Sequence, residues 1–117
     1  MTAPHDRPTA EELVEAVREW IRSSQIDHTI EANEFHARVA ANMLAIVERE
    51  LVLGPGQEHD HLERLAQLGV ADDAALAAEI RSGGLDDRIA EVRELVWASV
   101  RDKLAVANPR YLERTEP

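Results

Sequence analysis

Five histidines, many carboxylates and no cysteine set the chemistry open to this 117-residue chain. Without cysteine there is neither a disulfide framework nor a thiol nucleophile. His59-Asp60-His61 has the composition of a metal cluster. Two histidines two positions apart on a helix point about 200° away from each other, so chelation needs an extended or turning backbone. A solvated acidic loop without metal is expected there. His36 is the one histidine embedded in a strongly apolar helical pattern, but no serine, threonine or cysteine lies three or four residues from it to make a nucleophile and base pair. Gly54-Pro55-Gly56 and Gly83-Gly84 follow no strand and carry no lysine and hydroxyl, so they read as helix stops rather than phosphate loops. No catalytic residue, cofactor or metal is expected, and the chain is not read as an enzyme.

What remains is contact chemistry, concentrated near the end. Lys103-Leu104-Ala105-Val106-Ala107-Asn108-Pro109-Arg110-Tyr111-Leu112 contains the only lysine and the only tyrosine, placed around a helix stop. Arginine and tyrosine dominate interface hot spots. Trp97, Lys103, Asn108, Arg110 and Tyr111 are therefore the expected partner interface, the alternative being a tail folded back on its own bundle.

These residues must be held by helices. Pro4 and Pro8 mark residues 1–8 as a flexible arm. Thr9 with Glu12 three positions on predicts a capping box opening a helix with Leu13, Val17, Trp20 and Ile21 on one face. Short polar residues from Ser23 to Asp27 break that pattern. A second helix starts between Thr29 and Asn33, carries a wide apolar wedge from Phe35 to Leu51, and is expected to stop at Gly54-Pro55-Gly56. A short helix with Leu62, Leu65 and Leu68 follows, then another capped by Asp72 or Asp73. The last helix is capped by Asp86 or Asp87 and runs to about Asn108, with Leu85, Ile89, Val92, Val96, Val100, Leu104 and Ala107 toward one side. The prediction is an all-α, compact bundle of four to five helices over residues 9–108, with a C-terminal tail at 109–117.

Helical projection places His36 and Glu50 in the apolar sector of the second helix and Lys103 in that of the last, making these three the expected buried polar groups. An unpaired buried charge is costly, so a Glu50–Lys103 contact is predicted; the plainer reading has Lys103 snorkelling.

A formal charge of −10, with no basic cluster, opposes nucleic acid and anionic lipid as partners. Apolar residues make up 44%, enough for a core, yet nowhere form a run that could span a membrane. The N-terminal stretch lacks the apolar centre of a signal peptide, so a cytoplasmic location is expected.

Phe35-His36-Ala37-Arg38-Val39-Ala40-Ala41-Asn42, Ala45-Ile46-Val47-Glu48-Arg49-Glu50-Leu51 and the Lys103 to Leu112 segment together resemble a bacterial family of small helical domains of unknown function. The Arg7-Pro8-Thr9-Ala10-Glu11-Glu12-Leu13 opening is similar too. Members are commonly encoded beside aminoglycoside-phosphotransferase-like kinases and acyl-CoA dehydrogenases, and a similar protein serves as companion subunit of a 4-hydroxyacyl-CoA kinase. The resemblance implies a non-catalytic accessory subunit of a phosphotransferase-fold kinase acting on hydroxyacyl-CoA, and supplies no catalytic residues. The alternative is a stand-alone helical homodimer or acyl-ligand-binding protein. The chain departs from the family pattern at Ser23 to Ile30, which is shorter and more polar.

Overall fold

The computed structural model describes residues 3–22 and 30–115, so the polar break at 23–27 lies outside the described residues. Five helices account for most of them: α1 (Ala10–Arg22), α2 (Ile30–Gln67), α3 (Asp73–Ser82), α4 (Ile89–Ala107) and α5 (Pro109–Thr115). The fold is all-α, with no strand among the described residues. None of these helices is long and apolar enough to cross a membrane.

Thr9 and Glu12 form the reciprocal cap. The Glu12 backbone N–H donates to Thr9 Oγ1 at 3.2 Å and the Thr9 N–H to Glu12 Oε1 at 3.0 Å. The Thr9 backbone donor, together with its hydroxyl, holds the Glu12 carboxyl below its ordinary value. Ala10 and Leu13 then pack on Val47, with Met43 and Ile46 at the margin. Trp20 meets His36 edge-on at 6.2 Å. The start of α1 thus lies against the middle of α2 and its end against the beginning of α2, an antiparallel pair.

The second helix does not stop at Gly54-Pro55-Gly56; it continues through all three for 38 residues, about 57 Å. Neither Gly54 nor Gly56 takes a positive φ, so neither acts as a cap. Pro55 removes one hydrogen bond, but the residues beyond it are fastened to α4, and that tertiary attachment outweighs the local penalty. The helix ends instead at Gly69, with φ +76°. There the Val70 N–H reaches Leu65 O and the Gly69 N–H reaches Ala66 O, both at 3.0 Å, which is a Schellman closure.

Asp72 caps α3 by accepting from the Ala75 N–H at 2.8 Å, and Gly83 at φ +82° ends it. The expected cap at Asp86 or Asp87 is absent: Asp86–Arg88 form a turn of 3-10 helix that leads into α4. Pro109 does not open an irregular tail. It occupies the first position of α5, where its missing N–H costs nothing.

Along α4 the buried positions are Val92, Ser99 and Val106, seven apart, and Leu85 before the 3-10 turn continues the interval, rather than the wider wedge of the helical projection. Ile89 and Val96 are partly exposed, at 46% and 38%. On α2 the series Val47, Gly54, His61, continued by Leu68 just past its end, and the series Glu50, Gln57 repeat the same heptad interval, all buried. This is the seam of two helices in coiled-coil-like register. Its cross-links run antiparallel: Arg49 to Val106, Gln57 to Asp102, Arg64 to Ser99, Gln67 to Glu91.

The bundle is drawn out along α2. Its extents are 60 × 31 × 25 Å and its radius of gyration is 18.3 Å, against roughly 13 Å for a compact domain of this length. Most of the buried apolar residues fall into two separate clusters, one around Ala10, Leu13 and Val47, the other around Leu65, Leu68, Leu76, Leu85 and Val92.

Candidate functional site

The α2–α4 seam is polar where most seams are apolar. His61 projects from α2 into the angle between α3 and α4, buried together with Ser99. Its Nε2 lies 2.8 Å from Asp73 Oδ1 and its Nδ1 lies 2.8 Å from Ser99 Oγ. A carboxylate only accepts, so in the neutral ring Nε2 carries the proton and Nδ1 accepts from the serine hydroxyl. Arg64, one turn further along α2, donates from Nη1 to Ser99 Oγ at 3.1 Å and to Asp102 Oδ2 at 2.9 Å. Asp73, His61, Ser99, Arg64 and Asp102 therefore form one chain of hydrogen bonds across three helices.

Asp73, His61, Ser99 and Arg64 of this network line a cavity of about 190 Å³ whose other surfaces include Leu65, Leu68, Leu76, Leu95, Val96 and Val100. An apolar concavity with a few convergent polar groups is the usual form of a small-molecule site. Below it along the seam, Gln57 donates to the Asp102 carbonyl at 2.9 Å and contacts His5 Nε2 at 2.9 Å. The N-terminal arm is thus seated on the bundle. Arg49 closes the far end by donating to the Val106 carbonyl at 2.8 Å, a cation at the C-terminus of α4.

The residues singled out from sequence separate into different places. His36 is exposed, not buried; it sits beside Trp20 and Phe35, because α1 covers too little of α2 at that point to enclose it. Glu50 is buried and its Oε2 has no hydrogen-bond partner. Lys103 is half-exposed and pairs with Asp6 of the arm at 3.1 Å, not with Glu50. Both line the same small cavity, but the arm supplies a nearer carboxylate that helix-by-helix projection could not place. Asn108 and Arg110 share a cleft with Asn42 and Arg49 of α2. Trp97 stands eleven residues before Asn108, about 16 Å along α4, 41% exposed, with the Arg101 guanidinium 5.9 Å from its ring centre. Tyr111 is 45% exposed. The residues of the expected interface are therefore spread from the middle of α4 through Lys103 to α5.

His59-Asp60-His61 is helical, not a loop. His61 turns inward while His59, Asp60 and Glu63 gather on the exposed side, with His59 Nε2 3.1 Å from Glu63 Oε1. The inward group is the one that a local search for a nucleophile near His36 misses, since Ser99 lies 38 positions from His61. Its signal was the spacing His61, Arg64, Leu65, Leu68, a helical stripe with two polar members.

No curated protein and no solved structure matches the chain significantly. A family model described as a domain of unknown function, DUF6285, matches residues 27–111, which include α2, α3, α4 and every side chain of the His61 cluster. The chain belongs to the DUF6285 family.

Proposed function

We propose that this chain is an accessory subunit, working in the cytoplasm, of a phosphotransferase-fold kinase that acts on hydroxyacyl-CoA, and that it takes no part in the phosphoryl chemistry. The observation behind the reading is the inverted middle of α2. There Glu50, Gly54 and Gln57 face inward while Leu51 and Val52 are 70% and 75% exposed. Val14 of α1 and Leu51 line a shallow cleft between the two helices, rimmed by Glu11, Glu15 and Arg18. Apolar surface with a charged rim is the pattern of a protein contact. The kinase as partner comes from the resemblance of the Phe35–Leu51 and Lys103–Leu112 segments to companion subunits of such kinases.

Co-expression with an aminoglycoside-phosphotransferase-like kinase tests it. The two chains are expected to co-elute and the kinase to phosphorylate a hydroxyacyl-CoA faster than it does alone. The double substitution Leu51→Glu and Val52→Glu is expected to abolish both effects while circular dichroism stays unchanged. Separate elution together with an unaltered rate refutes the reading. A stable homodimer that hides Trp97 favours self-association instead.

A further inference from the structure

We propose that the cleft between α2, α3 and α4 is an acyl-transfer site in which Ser99 Oγ is the nucleophile, His61 the general base and Asp73 the group that orients the base, acting on esters or thioesters of short aliphatic acids. Nucleophile to base and base to carboxylate are each 2.8 Å, within the reach that proton transfer requires. Such a constellation is recognised by geometry and roles rather than by chain order. Here the imidazole presents Nδ1 to the serine and Nε2 to the carboxylate, so the polarity of the relay is complete. All three groups stand on helices, which hold them more closely than loops would.

The surroundings supply the other requirements. Ser99, His61, Asp73 and Arg64 all line the apolar cavity, so the hydroxyl meets a space where a substrate carbonyl can lie. A dry cavity of about 150 Å³ takes a benzene ring, so the 190 Å³ observed here holds an acyl chain of about six carbons. Arg64 Nη1 donates to Ser99 Oγ at 3.1 Å and to Asp102 at 2.9 Å, so the guanidinium favours negative charge on Oγ as its proton leaves.

In the forward step Ser99 Oγ bonds to the acyl carbon while its proton passes to His61 Nδ1. The adduct collapses with cleavage of the C–O or C–S bond, and the Nδ1 proton leaves with the alcohol or thiol. Water then adds to the Oγ-acyl ester with Nδ1 taking its proton; the acid departs and the proton returns to Oγ. The site lies away from the Leu51–Val52 surface and does not rest on the subunit reading.

The test uses the full chain and a hexyl fluorophosphonate. Intact-mass measurement is expected to show one adduct, mapped by peptide sequencing to Ser99, forming about a hundredfold more slowly in His61→Gln. p-Nitrophenyl hexanoate is expected to turn over faster than the acetate or palmitate ester, and Ser99→Ala to remove that turnover while keeping the Arg64–Asp102 pair and the helical circular dichroism. No adduct on the native chain, an adduct at another residue, or equal hydrolysis by native and Ser99→Ala protein overturns the proposal. Because labelling is read on the native chain, it decides the matter even if a variant fails to fold.

Discussion

Replacing Gly56 with alanine tests whether α2 is one unbroken helix. Gly56 lies in the interior of α2, exposed, and a Cβ built on it meets no atom within 4 Å. Alanine is favoured over glycine in a helix interior by about 0.8–1 kcal/mol, and nothing at this site opposes the gain. With an unfolding entropy near 2.1 cal/mol/K per residue, a chain of 117 residues has about 0.25 kcal/mol/K in total, so the midpoint should rise by about 3–4 °C. Pro55→Ala, which restores an N–H facing the Leu51 carbonyl, should add up to about 3 kcal/mol and up to about 12 °C. Thermal and urea unfolding followed by far-ultraviolet circular dichroism measure both. If the chain turned at Gly54-Pro55-Gly56 with a glycine at positive φ, alanine would be strained and the midpoint would fall. A fall in both variants refutes the continuous helix.

Leu65, only 3% exposed at the centre of the larger cluster, should cost about 2–5 kcal/mol when cut to alanine, read as a lower urea midpoint at unchanged slope. Glu50→Met should raise stability by about 1–3 kcal/mol, because a buried carboxylate with an unpartnered oxygen gives way to an apolar side chain of similar length. Hydrogen bonds from Arg88, and then from Gln67, hold the Glu91 carboxyl below 4.5, as the Thr9 cap does for Glu12. A depressed carboxyl pKa stabilises the fold above the unfolded value and loses that contribution as pH falls through the folded value. Native chain should therefore lose midpoint below about pH 4.5, with a shallower loss in Glu91→Gln.

Much of this architecture can be read from residue order. The Thr9–Glu12 cap, the Asp72 cap and the stop at Gly83 follow from local chemistry that no tertiary contact disturbs. The passage through Gly54-Pro55-Gly56 does not, since three weak helix formers are held in place by the α4 cross-links of Gln57, His61 and Arg64. The α2–α4 seam escapes a hydrophobicity count for a related reason: its inward positions include Glu50, Gly54, Gln57 and His61, while Leu51, Val52 and Leu62 point out. Helical projection from apolar content places Glu50 inward correctly but also turns His36 and Leu51 inward, where the structure exposes both. The His61, Arg64, Leu65, Leu68 stripe marks only the α2 part of the cluster; Asp73 and Ser99 join it only once α3 and α4 fold onto α2.

The two apolar clusters are bridged chiefly by the backbone of α2 and its polar seam, so each end of the molecule carries its own share of stability. Trp20 belongs to the first end and Trp97 to the second, with no other tryptophan in the chain. Fluorescence from single-tryptophan variants can thus follow the two ends separately through denaturation. Coincident curves would mean that one spine helix suffices to make the whole length melt as a unit, and divergent curves would locate the weaker half.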